Sequence, residues 1–347
     1  MNKIESGEKL DFSNVLIRPK RSTLESRSQV SLEREFKFKY SNKTWSGIPI
    51  IAANMDTTGT LDVYECLEPY KIITALHKFH TIDTFSSHHE KTNEVPNNAM
   101  FMISTGISDS DFENLSYTLS TVDCHWICID IANGYMNKLV DFCKRVRKAF
   151  PNKIIVAGNV VTREMVEELI LNGEVDVVKV GIGPGSACTT RMKTGVGMPQ
   201  LSAVLECADA AHGVGGHIIS DGGITCPGDM AKAFGAGADF VMLGGQFAGH
   251  DQNPGNVIEY NGKKFKCFYG MSSDKAQEIH YGKMNNYRSS EGRVLKIPYK
   301  GDLKNTVQDF LGGLRSTCTY INASNIKQMP TCTTFVRVSQ QLNSVFI

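Results

Sequence analysis

Long apolar runs are missing from this sequence. None approaches the ~20 residues that cross a bilayer as a helix, so no membrane-spanning helix is expected. An excess of one charge sign is missing too. Its 37 basic and 36 acidic residues leave a formal net charge of +1, which gives no electrostatic reason to expect nucleic acid or an anionic membrane as partner. The ten cysteines show no paired CxxC spacing, which argues against disulfides and structural zinc. The opening residues Met1-Asn2-Lys3-Ile4-Glu5-Ser6-Gly7-Glu8 are polar and lack the apolar stretch of a secretory signal. The expectation is a soluble, cytoplasmic protein whose partner is a small molecule.

What is present suits a large, well-buried fold: 347 residues, 41% hydrophobic and 21% charged. Eight short apolar runs recur, at residues 48–53, 72–76, 100–104, 126–130, 154–157, 175–180, 217–220 and 240–243. Each has the length of a strand buried on both faces and ends in a polar or glycine-bearing turn. Helix punctuation lies between them: Thr162 before and Gly173 after one stretch, Pro199 and Gly213 around another, Pro227 and Gly235 around a third. Eight alternations of strand and helix describe an α/β fold, a closed (β/α)8 TIM barrel, as a single domain over residues 1–347. Six or seven units would suggest an open doubly wound sheet instead.

Two segments exceed a plain barrel. Residues 257–268 read as a hairpin turning at Asn261-Gly262, and residues 271–298 are polar and rich in Gly, Ser and Tyr. Within 254–300 they predict a β-hairpin and a mobile lid after strand eight, on the face where barrels carry their binding loops. The eighth helix is expected at 303–311, followed by Gly312-Gly313.

Strand seven ends in Asp221-Gly222-Gly223 and strand eight in Gly244-Gly245, the two loops where barrels commonly hold phosphate on backbone N–H groups. Glycines also serve simple turns, but both pairs at both strand ends favour a phosphorylated ligand. The loop after strand six, Gly181-Ile182-Gly183-Pro184-Gly185-Ser186-Ala187-Cys188-Thr189-Thr190, is not a dinucleotide fingerprint, because Ser186 stands where the third glycine belongs and Pro184 has no N–H. A glycine loop that keeps its carbonyls free can coordinate a large monovalent cation.

Cysteines are usually small buried hydrophobes, and Cys66, Cys143 and Cys207 read that way. Cys188 differs: it lies in a polar loop on the binding face beside the hydroxyls of Thr189 and Thr190, as a nucleophile would. His77 and His80 lack a third metal ligand, and Arg18, Lys20 and Arg21 read as a solvated arm. Lys78 and Asp130, both at C-terminal strand ends, are candidates for ligand contact.

These residues resemble a known family over nearly the whole length. The segments 179–191, Ile219-Ser220-Asp221-Gly222-Gly223, Tyr269-Gly270-Met271-Ser272-Ser273 and Gly312-Gly313-Leu314-Arg315-Ser316 look like those of the IMP dehydrogenases and GMP reductases. The short connection from Leu76 to Met100 leaves no room for the CBS insert usual in the dehydrogenases. The lid reads Tyr287-Arg288-Ser289-Ser290-Glu291-Gly292, the reductase pattern, where dehydrogenases place an Arg-Tyr pair that activates water.

The resemblance implies reduction of GMP by NADPH to IMP and ammonia through a covalent thioimidate on Cys188, with Thr190 and Glu291 as proton relay. It implies that Asp221, Gly222, Gly223, Gly244 and Gly245 hold ribose and phosphate. Gly270, Met271, Ser272, Arg288, Ser289, Ser290 and Gly292 would hold the base and close over it. The cofactor would meet Lys78, Asp130, Ile131, Ala132, Ile182, Gly183, Met271, Tyr287 and Arg288. Ser26, Arg27, Ser316, Thr317, Cys318 and Thr319 would reach it across a subunit boundary of a fourfold homotetramer. Gly183, Gly185 and Cys188 would lend carbonyls to K+, with Arg191 nearby. Departures from the family pattern are Ala187 before the cysteine, Met198 before Pro199, and Phe79 in His77-Lys78-Phe79-His80.

Overall fold

Eight parallel strands close on themselves: β1 (Ile50–Ala52), β2 (Ile73–Leu76), β3 (Phe101–Thr105), β4 (Trp126–Asp130), β5 (Ile154–Val160), β6 (Val177–Val180), β7 (His217–Asp221) and β8 (Phe240–Leu243). The computed structural model describes residues 4–282 and 290–339. β8 pairs with β1 as well as with β7, so the sheet has no edge. Their apolar runs are explained by position, since one side chain of each pair fills the barrel and the next packs under helices. The expected (β/α)8 architecture is the observed one.

The intervening helices are α1 (Leu61–Leu67), α2 (Ile82–Thr92), α3 (Asp109–Thr121), α4 (Asn137–Ala149), α5 (Arg163–Leu171), α6 (Gln200–Gly213), α7 (Pro227–Gly235) and α8 (Leu303–Ile321). Local chemistry sets their starts: Thr60, Ser108 and Asp302 accept N-terminal N–H groups of α1, α3 and α8, and Pro227 opens α7 where no N–H is needed.

An N-terminal antiparallel hairpin, Arg34–Lys37 with Thr44–Gly47, closes the floor of the barrel. Phe36 stacks on Phe240 at 4.4 Å between centroids, and Phe38 and Trp45 meet Trp126 edge-on. Trp126 and Phe240 begin β4 and β8, so this plug sits at the N-terminal end and leaves the C-terminal end open. Each aromatic pair adds ~0.5–1.5 kcal/mol beyond the area it buries.

The eighth helix departs from expectation. It does not stop at Gly312-Gly313 but runs through both to Ile321. A Cβ on Gly313 would lie 2.5 Å from Cβ of Pro227, so that glycine lets α8 approach α7, whereas Gly312 has open space around it. A packing glycine carries the same sequence signal as a helix stop.

The insertion after β8 is also more ordered than a hairpin and a loop. β9 (Ile258–Tyr260) and β10 (Lys263–Tyr269) form the expected hairpin, with Asn261 and Gly262 at φ 50 and 70, the geometry of a primed turn. The polar stretch beyond it contains a helix, Asp274–Tyr281, and a strand, β11 (Val294–Pro298), which pairs along its whole length with residues 265–269 of β10. Of the lid sequence, Tyr287, Arg288 and Ser289 lie outside the described residues. Among the described residues no helix is long and apolar enough to cross a membrane.

Candidate active site

A cleft of about 880 Å³ opens at the C-terminal end of the barrel. Loops after β1, β4, β6, β7 and β8 line it, together with the return of the insertion. The loop after β6 crosses it through glycines that sequence alone could not place. A Cβ on Gly181 would lie 2.1 Å from the carbonyl oxygen of Asp221, and one on Gly183 (φ 87) would strike the Arg191 side chain at 2.5 Å. The backbone can lie this close to its neighbours only without side chains.

That loop brings Cys188 to the cleft, turned by the Cys188 N–H donating to the Gly185 carbonyl at 3.0 Å. Its thiol sits 3.2 Å from Thr190 Oγ1, and Thr190 Oγ1 donates to Glu291 Oε2 at 2.7 Å. A sulfur nucleophile, a hydroxyl and a carboxylate thus form one chain along which a proton can move. Glu291 is held there by backbone pairing: Thr189 N donates to the Glu291 carbonyl at 2.8 Å, Cys188 bridges Gly292, and Arg293 N donates to the Ala187 carbonyl at 2.9 Å. The return of the insertion is therefore stitched to the loop that carries Cys188. Ser290 lies in the same stretch, its carbonyl accepting from Thr189 Oγ1.

Beneath the cleft, Lys179 is buried between two carboxylates, 2.7 Å from Asp130 Oδ1 and 2.8 Å from Asp221 Oδ2. Asn54 Nδ2 donates to the other Asp130 oxygen, and Asn159 Nδ2 donates to both Asp221 Oδ2 and the Gly181 carbonyl. Burial works to raise the Asp130 carboxyl, but the Lys179 charge and the hydrogen bonds from Lys179 and Asn54, with the charge of Lys78, leave it below its ordinary value. Burial likewise opposes the Lys179 charge, and the two carboxylates outweigh it, so the ammonium is held above its ordinary range. Asn159 Oδ1 is buried and meets no donor among the described residues.

The two glycine pairs line the cleft and abut the loop that carries Cys188. Gly222 and Gly223 take φ of 88 and 78, and a Cβ on Gly245 would lie 2.7 Å from Ser186 Oγ. Beside them Thr225 and Cys226 lead into the N-terminus of α7, an arrangement suited to an anionic group. Gly270, Met271 and Ser272 form the remaining wall with Gly292, while Ile131, Ala132 and Ile182 line the side next to Asp130.

His77 and His80 lie with ring centroids 4.1 Å apart and tilted planes; among the described residues no group of three potential metal ligands forms. His77 Nδ1 lies 3.9 Å from Asp56 Oδ1, but burial first, then the charges of His80 and His280, lower its pKa to about 3. It is neutral near pH 7, and the partner of Asp56 is instead His280 Nε2 at 2.6 Å. Cys143 and Cys207 are buried thiols pushed above their ordinary range, as expected of core residues; Cys66 is half-buried and raised to about 11.

Several sequence candidates stand apart from the cleft. Ser26 and Arg27 form a short turn packed against α8, the helix that carries Ser316, Thr317, Cys318 and Thr319. The Cys318 side chain is 0% exposed and packs in the core. Arg191, by contrast, lines the cleft, where it donates to the Met198 carbonyl and Asp11 beside the glycine loop. Lys179, Asn159 and Asn54 are the residues that sequence reasoning passed over as site groups. Their signal was available: a lysine inside Val177-Val178-Lys179-Val180 and an asparagine within a buried strand.

Comparison with known proteins agrees with this geometry. Residues 9–343 match the model of the IMP dehydrogenase / GMP reductase domain. The chain is 55% identical over 348 residues to a GMP reductase of Caenorhabditis elegans, covering 100% of this chain and 97% of that one. It is 57% identical over 347 residues to a GMP reductase of Yersinia pestis (strain Pestoides F), covering 99% of each. By its sequence, its barrel and the residues gathered at its open end, this chain belongs to the IMP dehydrogenase / GMP reductase family.

Proposed function

We propose that the protein reduces GMP to IMP, releasing ammonia and oxidising NADPH. The observation that carries this is the Cys188–Thr190–Glu291 chain at 3.2 and 2.7 Å, in a cleft that glycine-rich anion loops also line. In this reading the phosphate lies against Gly222, Gly223, Gly244 and Gly245, the ribose meets Asp221, and the purine lies beside Met271 and Ser272 over the sulfur.

The Cys188 sulfur then forms a bond to purine C2. The amino group is a poor leaving group unless it departs protonated, and the Thr190–Glu291 relay delivers that proton. Breaking the C2–N bond leaves a thioimidate on Cys188. Bound NADPH supplies a hydride. Hydride arrival at C2 releases the sulfur and yields IMP. Splitting one difficult displacement into two easier steps is the reason for a thiolate at this place.

The NADPH site proposed here lies on the side of Lys78, Asp130, Ile131 and Ala132, with Tyr287, Arg288 and Ser289 joining from the lid. A K+ ion on the carbonyls of Gly183, Gly185 and Cys188 belongs to the same proposal. The loop offers main-chain oxygens rather than carboxylates, a donor set that suits a large monovalent cation better than a divalent one. A mobile lid over 254–300, a cytoplasmic location, and a homotetramer in which Ser26, Arg27, Ser316, Thr317, Cys318 and Thr319 reach a neighbour's cofactor complete it.

The test is direct: purified protein is incubated with GMP and NADPH, and separately with IMP and NAD+, while the nicotinamide absorbance is followed. Absorbance should fall in the first mixture. A rise in the second with no change in the first would overturn the proposal in favour of a dehydrogenase.

A further inference from the structure

Asp130, Gly158 and Lys179 occupy one register row across β4, β5 and β6: Asp130 pairs with Gly158, and Gly158 pairs with Lys179. The middle position carries no side chain. A Cβ there would lie 2.7 Å from Cβ of Lys179 and 2.4 Å from its carbonyl oxygen, so only glycine lets the Lys179 stem pass across β5 to reach Asp130. On the other side the same ammonium reaches Asp221, at the end of β7.

Lys179 is 3% exposed and lies at the base of the cleft, beneath its two partners. Its two partners are not so hidden: Asp221 keeps 20% and Asp130 31% of its side chain open to the cleft. Each carboxylate uses one oxygen on Lys179. The charged groups around the ammonium are Asp130 on β4, Asp221 on β7 and Lys78 after β2, with the Cys128 thiol on β4 pushed up to about 12 by burial.

We infer that Lys179 is a positioning residue that ties the GMP ribose site to the nicotinamide site, by orienting Asp221 and Asp130 from a single buried charge. This rests on the proposed reading of Asp221 as a ribose contact and Asp130 as a cofactor contact. A shared cation makes the two carboxylates one unit. Loss of Lys179 removes the orientation of both and sets two like charges facing each other without a counterion.

The test measures binding of GMP and of NADP+, an unreactive pair, by calorimetry for wild type, Lys179→Met, Asp130→Asn and the double variant. Lys179→Met should weaken both ligands by about tenfold or more, whereas Asp130→Asn should weaken NADP+ and leave GMP within about threefold. The double variant, which removes the facing charge and so guards against misfolding, should bind NADP+ no more weakly than Lys179→Met alone. The acid limb of kcat/KM for Lys179→Met should move to higher pH, because a carboxyl without its cation takes up a proton sooner.

Effects of Lys179→Met confined to one ligand, or additive losses in the double variant, would overturn the inference. Wild-type protein that binds neither nucleotide would bring down the functional reading together with it. Wild-type turnover with additive losses would bring down the inference alone.

Discussion

Thr190 Oγ1 donates to Glu291 Oε2 at 2.7 Å although 101 residues separate them, one lying in the loop after β6 and one in the insertion after β8. The loop that carries Cys188 and the insertion are therefore held together. Backbone hydrogen bonds from Thr189 to Glu291 and from Arg293 to Ala187 fix the carboxylate relative to the sulfur.

Breaking that relay should cost rate rather than affinity. Thr190→Val and Glu291→Gln are each expected to lower kcat by ~10²–10⁴ while leaving GMP binding within a few-fold. Steady-state kinetics with an equilibrium binding measurement separates the two. A loss expressed only in KM would contradict the relay.

Gly158 has a structural task beside the site. Gly158→Ala would put a methyl group 2.4 Å from the Lys179 carbonyl oxygen, so the strands must shift. A destabilisation of ~1–3 kcal/mol is expected, read by denaturant unfolding, together with a loss of turnover.

Neighbouring glycines of α8 should behave oppositely. At Gly313 alanine would meet Pro227 at 2.5 Å and push α8 off α7, whereas nothing lies within 4 Å of a Cβ on Gly312. Gly312→Ala should raise stability by ~0.5–1 kcal/mol through helix propensity, and Gly313→Ala should lower it. Thermal unfolding of the two variants side by side provides the comparison; equal effects would contradict the packing role.

Acid should destabilise the fold through histidines held neutral. Burial chiefly lowers the pKa of His77 to about 3, and burial followed by the Lys300 charge lowers that of His250 to about 4, against 6.5 as the ordinary value. The unfolded chain binds these protons first, so their contribution is complete above about 6.5 and is lost as pH falls towards 4. Each group contributes a slope of up to ~1.4 kcal/mol per pH unit. Urea unfolding of wild type and His77→Asn across that window should show the shallower slope in the variant. An unchanged slope would contradict a neutral His77.

The barrel was legible because its strands are read locally. The runs at 126–130 and 240–243 coincide with β4 and β8, since continuous Val, Ile and Trp between turn residues has one economical meaning in this context. β11 was not legible: Val294-Leu295-Lys296-Ile297-Pro298 alternates half-buried and exposed residues and contains a proline, which a paired edge strand tolerates but a core strand does not. Cys188 and the glycine pairs were picked out from their own loops, whereas Glu291 as a partner of Thr190 was implied only by the family resemblance. The Asp130–Gly158–Lys179 row was not legible, because lateral register between strands is a property of closure and leaves no trace in any one segment.

The most direct measurement is the intact mass of the protein, quenched in acid during turnover of GMP and NADPH and mapped by peptide. The account predicts a purine nucleotide lacking the amino group of GMP, attached at Cys188 and absent from Cys188→Ala. Undiminished NADPH oxidation with no adduct at that sulfur would contradict it.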